Sequence, residues 1–284
     1  MMTLQDFAKQ RDFLVCVDSD GCAMDTMDVK HIRCFGPCLV REGGLEARSG
    51  PLLKRWNEIN LYSMTRGINR FKALAEFLGE TNAWYTPTAG VEELTAWAAS
   101  APELSNAALA EAAKTARGPA LAKALAWSKA VNAAIGALPE SEKNPFPGVA
   151  AALAAAHAAA DVAVVSSANR EAVEEEWARC RLLGSVDVLC CQDAGSKAAC
   201  IAQLKAKGYA PDHILMVGDA PGDQAAAEKN SVYFYPILVQ HEAESWAGFI
   251  KTALPALTNG CYAACQDEQN KAFRRNLGMP TARS

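Results

Sequence analysis

From residue 162 onward the sequence alternates between two periodicities, and that alternation limits the fold more than any other feature. Val162-Ala163-Val164-Val165 is a short apolar run of the kind that forms a buried strand. Residues 171–183 follow as a helix, with Val173, Trp177 and Cys180 at helical spacing. Residues 186–190 read as a second strand, 196–207 as a helix, 214–217 as a third strand and 222–229 as a helix. Residues 232–238 read as a fourth strand and 242–254 as a further helix. Strands that alternate with helices of about 8 to 14 residues imply a parallel sheet covered on both faces. One strand sits far upstream. Phe13-Leu14-Val15-Cys16-Val17 is apolar, ends abruptly in Asp18-Ser19-Asp20-Gly21, and reads as a member of the same sheet.

The chain between these parts has a different character. Helical patterns cover 54–61, 68–78, 91–99 and 104–135, and alanine dominates 107–137, which favours helix and close helix packing. Pro145 and Pro147 with Gly148 mark the return to the core. The expectation is therefore an α/β fold: a Rossmann-like parallel sheet with helices on both faces, split over 1–26 and 148–284, with an all-helical domain over 27–147 inserted. The 284 residues, at about 150 per domain, suit two domains, one nested in the other. The tail after Asn270 is polar and basic, and reads either as a frayed terminus or as a cover for a neighbouring surface.

Composition excludes some classes. With 50% hydrophobic and 21% charged residues, the chain is not intrinsically disordered. Its 28 Lys and Arg against 32 Asp and Glu give a net charge of −4, which argues against nucleic acid as a partner. A small anionic substrate stays open, because one local cluster of cations is enough to hold it. The most apolar stretch, 149–160, is nearly all alanine and shorter than the roughly 20 residues a membrane span needs. The first dozen residues lack the long apolar core of a secretory signal. Ten cysteines include no Cys-x-x-Cys pair, so neither a zinc ribbon nor a thioredoxin-type site is supported. They read as reduced structural thiols in a cytoplasmic protein. The spacings Cys34-x3-Cys38 and Cys261-x3-Cys265 leave pairing or metal binding open. His31, His157, His213 and His241 have no ligand-like spacing and read as structural or surface residues.

Four segments carry the chemistry, and each falls just after a predicted strand, where ligands of open parallel sheets bind. The first contains Asp18 and Asp20. Two carboxylates at i and i+2 share a side of an extended chain and repel, so their proton affinities separate unless a cation intervenes. A solvated acidic turn is the plainer alternative. The second is Ser166-Ser167-Ala168-Asn169, where a hydroxyl and backbone N–H groups suit an anion, or where Ser or Asn simply caps a helix. In the third, Gly195-Ser196-Lys197, a lysine sits in the first turn of a helix, where the macrodipole disfavours a cation. A broken local rule of this kind often marks function, although a solvated lysine is the commoner case. The fourth is Gly218-Asp219-Ala220-Pro221-Gly222-Asp223, whose two carboxylates suit magnesium or merely an acidic helix start.

The ordered set Asp-x-Asp-Gly, Ser, Lys and Gly-Asp-x-x-x-Asp resembles the haloacid dehalogenase superfamily of hydrolases, over about residues 13–26 and 161–235. The helical insert looks like that superfamily's cap in its first insertion position, although it is longer than the compact four-helix caps. The resemblance implies Asp18 as the nucleophile and Asp20 as the general acid and base. It implies Ser166, with Ser167 and Asn169, at the phosphoryl oxygens and Lys197 as the neutralising cation. Mg2+ would be held by Asp18, Asp219 and the backbone carbonyl of Asp20, with Asp223 either as a further ligand or as a partner behind the ligands. The acid at position 20 favours phosphate esters over haloacids or phosphonates. Cys22 departs from the usual Thr or Val there, and nothing near it in sequence activates it as a nucleophile. In Thr65-Arg66-Gly67-Ile68-Asn69-Arg70, Arg66 is the candidate for a substrate carboxylate or second phosphate, with a solvated helix-start arginine as its alternative; Lys54 and Arg55 are weaker candidates. The expected function is a magnesium-dependent phosphatase of a small phosphorylated metabolite. A phosphomutase or an inactive binding protein on the same scaffold are the alternatives, and a receiver-like signalling domain fits the long insert poorly.

Overall fold

Five short strands form one parallel sheet in the computed structural model, which describes residues 3–84 and 87–278. They are β1 (Leu14–Val17), β2 (Asp161–Val165), β3 (Val188–Cys190), β4 (Ile214–Gly218) and β5 (Tyr233–Pro236), in the order β3-β2-β1-β4-β5. All residues of β1 to β4 are buried, which is why each reads as an unbroken apolar run and not as an alternating one. Val17 lies level with Val164 of β2 on one side and Val217 of β4 on the other. That register brings the carboxyl ends of β2, β1 and β4 to one edge. The strand order reverses between β1 and β4, which makes this the switch point where such sheets bind ligands.

The chain divides into two compact units, one of Met1–Met27 with Glu140–Ser284 and one of Asp28–Pro139. The first holds the sheet and its helices, among them Val149–Ala159, Arg170–Arg179, Lys197–Lys205 and Pro221–Asn230. Trp177, Trp246, Leu153 and Phe249 fill its core. The second unit has no strand among its described residues. Its helices include Gly36–Gly43, Ser49–Leu61, Arg70–Trp84, Val91–Ser100, Asn106–Ala113 and Ala120–Gly136. They close around Trp56, which meets Phe77 and Trp127 edge to face at 5.6 Å each. An α/β Rossmann-like fold with an all-helical partner is thus what the chain adopts. Among the described residues no helix is long and apolar enough to cross a membrane. No disulfide joins the ten cysteines, and Cys34/Cys38 and Cys261/Cys265 stand unbridged.

Two elements differ from the sequence expectation, each for a local reason, and a third takes one of its two alternatives, that of a cover. The helix over 104–135 is broken over 114–119, a segment in which Gly118 packs on Gly90; a Cβ on Gly118 would lie 2.8 Å from Gly90 Cα. The helix over 242–254 ends its regular turns at Gly248 and widens to a π turn at Phe249–Ala253, just before Pro255, which has no N–H to continue the ladder. The polar tail, finally, is helical from Ala263 to Asn276 and covers β5. Phe273 is buried against Phe234 at 5.2 Å, and the Gln266 carboxamide accepts from Phe234 N–H and donates to Phe234 C=O, both at 2.9 Å. A side chain thereby occupies backbone groups that an edge strand would leave open. Residues 279–284 of the tail and Met1 and Met2 lie outside the described residues.

Candidate active site

The loop after β1 is folded tightly on itself. Asp18 N–H donates to Val217 C=O at 3.0 Å, which extends the sheet by one residue. The Ser19 carbonyl accepts from Ala23 N–H and Met24 N–H at 3.0 and 2.8 Å, a turn made possible by Gly21 at φ +80°. Two buried indoles clamp it: Trp177 Nε1–H donates to Ser19 Oγ at 2.9 Å and Trp246 Nε1–H to Cys22 C=O at 3.0 Å. The loop therefore presents the Asp18 carboxylate on a rigid support.

Lys197 is the first residue of its helix, behind an N-cap in which Ser196 Oγ accepts from Ala199 N–H. Its Nζ lies 2.7 Å from Asp18 Oδ2 and 2.6 Å from Asp223 Oδ1, with its side chain 14% exposed. Asp219 follows Gly218 at the end of β4, and Asp223 stands in the first turn of Pro221–Asn230, where its Oδ2 accepts from Ala220 N–H at 3.1 Å. Gly218 is required by this packing, because a Cβ there would lie 2.4 Å from Asp223 Cβ and Cγ. One carboxylate oxygen from each of Asp18, Asp219 and Asp223 falls within 4.8 Å of the others, and all three residues are buried.

Three buried carboxylates face one ammonium. Burial pushes Asp18 up to about 7; Lys197 opposes the shift and Asp223 adds to it. Asp223 is raised as well, by burial and then Asp219, against the pull of Lys197. Burial would lower Lys197, but Asp18 and Asp223 outweigh it and hold the ammonium above its ordinary range. Three buried carboxylates against one ammonium leave a shortage of positive charge. An all-oxygen set of hard donors with that shortage fits Mg2+ in ligand type and charge.

The other expected residues stand as follows. The Asp20 side chain lies outside the three-acid cluster and accepts a hydrogen bond from Thr26 Oγ1. Ser166 is buried; its N–H donates to Cys190 C=O at 2.9 Å, and its Oγ accepts from Ala168 N–H at 3.1 Å, which leaves the hydroxyl proton to be donated. Ser167 is exposed. Asn169 is exposed too and caps Arg170–Arg179 by accepting from Ala172 N–H at 3.2 Å, the capping role named for it as an alternative. Arg66 belongs to the helical unit and is 1% exposed, with Nη1 donating to Leu61 C=O at 2.8 Å. It is therefore not the solvated arginine offered as its alternative. Arg55 is engaged by both oxygens of Glu80 at 2.7 Å. Cys22 is buried and donates to Val217 C=O at 3.6 Å; burial pushes its thiol far up, which keeps it protonated and unreactive.

Sequence reasoning missed Thr26, Gly218 and Trp177 as supports of the site. Gly218 was visible as part of Gly-Asp-x-x-x-Asp, but its clash partner was not. Trp177 read as one apolar position of a helix, because a periodicity does not say where an indole N–H ends.

The family model for haloacid dehalogenase-like hydrolases matches residues 100–236. That span holds Ser166, Lys197, Asp219 and Asp223, while Asp18 lies outside it and is brought alongside by β1. No curated protein sequence matches the chain. Among solved structures, a haloacid dehalogenase-like family hydrolase from Streptococcus pneumoniae is 13% identical, with 82% of this chain and 90% of that chain covered and a TM-score of 0.51. A candidate haloacid dehalogenase-like hydrolase from Bacteroides fragilis is 12% identical over 83% and 93%, with a TM-score of 0.51. A candidate phosphoglycolate phosphatase from Lactobacillus delbrueckii subsp. bulgaricus is 15% identical over 80% and 86%, with a TM-score of 0.52. At these identities the likeness concerns the fold. By the family match over residues 100–236, the strand order and the acids at the ends of β1 and β4, the chain is similar to the haloacid dehalogenase-like hydrolases.

Proposed function

We propose that this protein is a magnesium-dependent phosphatase that hydrolyses a small phosphorylated metabolite through an aspartyl-phosphate on Asp18. The observation that carries this reading is the buried cluster of Asp18, Asp219 and Asp223 around Lys197 at the switch point of the sheet. Lys197 holds Asp18 Oδ2 and so fixes the plane of the carboxylate that attacks phosphorus. As the ester bond breaks, Asp20 gives its proton to the departing oxygen. It then takes a proton from the water that attacks the aspartyl-phosphate, which frees Asp18 and inorganic phosphate. Ser166 Oγ–H donates to a phosphoryl oxygen, with Ser167 and Asn169 at the same strand end. Lys197 offsets charge on the transferring group.

Asp18 and Asp219 would hold Mg2+ with the Asp20 carbonyl. Both Asp223 oxygens already have partners, Lys197 and Ala220 N–H, so Asp223 serves mainly to aim Lys197 at Asp18. When bound, the ion supplies the positive charge that three buried carboxylates and a phosphoryl group require. Substrate selection falls to the helical unit in this reading, where Arg66, the arginine expected to meet a substrate anion, is buried and donates to Leu61 C=O. Ten unbridged thiols support a reducing, cytoplasmic setting.

The test is hydrolysis of para-nitrophenyl phosphate with and without Mg2+. The wild type releases one phosphate per ester consumed, and from a sugar phosphate with a second hydroxyl it yields free phosphate and not the isomerised ester. Asp18→Asn abolishes turnover while leaving the thermal melt cooperative. Undiminished turnover in that variant contradicts the mechanism.

A further inference from the structure

Arg70 and Lys197 occupy matching local positions in opposite surroundings. Each is the first residue of its helix, and neither helix has an acid in its first turn. A cation there is opposed by the positive end of the helix. Lys197 has two carboxylates to offset this. Among the described residues the partners of Arg70 are neutral: Nη1 donates to Asn132 Oδ1 at 2.7 Å and to Ser128 Oγ at 3.2 Å, and the guanidinium lies 5.0 Å over the Phe35 ring. Its helix is also capped by a neutral group, since Asn69 Oδ1 accepts from Phe71 N–H at 2.9 Å.

Other arginines show the contrast. Arg55 meets Glu80, Arg170 meets Asp193 and Arg41 meets Glu42, and those carboxylates raise all three. Burial instead moves Arg70 down, as it must for a charge with no anion beside it. Of its five N–H donors, Nη1 supplies the two that are engaged. The Nε–Nη2 edge, which binds carboxylates and phosphates in paired fashion, has no acceptor among the described residues. The place is reachable, because Asn69 and Asn132 are exposed and Ser128 forms a buried floor.

We propose that Arg70, with Ser128 and Asn132 holding its guanidinium, is a binding site in the helical unit for a small oxyanion, a carboxylate or a phosphate group. Within Thr65-Arg66-Gly67-Ile68-Asn69-Arg70 it is thus Arg70, and not the fully buried Arg66, that offers an open edge. The anion has two possible sources, an acidic group on the substrate or a free metabolite, and the site does not depend on the phosphatase reading.

The experiment titrates malonate into the full chain while following arginine side-chain Nε–H resonances by NMR. One resonance is expected to shift and saturate, and Arg70→Lys, which keeps the charge but loses the fork, to weaken binding by about tenfold or more. Asn132→Ala, which only frees the guanidinium to swing, should weaken it less. No saturable shift, or an unchanged affinity in Arg70→Lys, overturns the proposal. A second arm compares hydrolysis of phenyl phosphate and carboxyphenyl phosphate. A preference for the second ester that Arg70→Lys abolishes places the anion on the substrate. Malonate binding without any such preference identifies a free anion.

Discussion

At the residue scale, the site is a charge problem solved by contact distances. Lys197 bridges Asp18 and Asp223, so any change that moves Asp223 also moves the lysine from Asp18. Gly218→Ala is the sharpest such change. The added Cβ meets Asp223 at 2.4 Å, and the overpacking should cost about 1–3 kcal/mol in chemical denaturation and most of the proposed phosphatase activity. A cooperative melt at wild-type stability would show that the carboxylate moves aside freely. The raised Asp18 makes a second prediction. Its folded value of about 7 exceeds the model-compound value of 3.8, so the native state binds the proton more tightly than the unfolded chain. Without metal, its contribution is stabilising at low pH and is lost as pH rises from about 4 to about 7. Asp18→Asn should flatten that part of the stability curve, and Mg2+ should flatten it in the wild type. A metal-free curve that rises through this window and is unchanged by Asp18→Asn would contradict the assignment.

At the element scale, legibility followed burial. The strands were visible because every residue of β1 to β4 is buried, so apolar character runs unbroken. Lys197 stood out because it broke the rule for a helix start, and Asp18 and Asp219 because they ended apolar runs. The break over 114–119 was hidden by alanine on both sides, since Gly118 within it packs on a distant partner, Gly90. The helix Ala263–Asn276 was harder still. It is mostly polar and is held by Phe273, by the Gln266 clasp of Phe234 and by a like clasp of Asn276 on Val239. Gln266→Ala should cost about 1–3 kcal/mol, because Phe234 N–H loses its acceptor at the sheet edge. It should leave kcat within about twofold, since β5 carries none of the proposed catalytic groups. A variant as stable as the wild type would show that water satisfies the edge equally well.

At the scale of the whole molecule, the chemistry depends on chain ends meeting across an insertion. Asp18 leaves β1 and Asp219 leaves β4, and only their pairing as neighbours in the sheet brings the carboxylates together. The sequence could pair those motifs by resemblance alone, because periodicity does not reveal strand order. Its four motifs still named the carboxylates and the lysine that the fold gathers. What it left open, such as which arginine of the helical unit keeps an accessible edge, depends on packing between helices and not on any local pattern. The central claim, a phosphoryl group carried by Asp18, has a direct test: acid-quenched turnover of a phosphate ester, followed by mass spectrometry of the digested protein. A phosphoryl adduct should be found on the peptide containing Asp18 and be absent from Asp18→Asn. Steady turnover with no adduct on that peptide, or an adduct on another residue that survives in Asp18→Asn, would contradict the account.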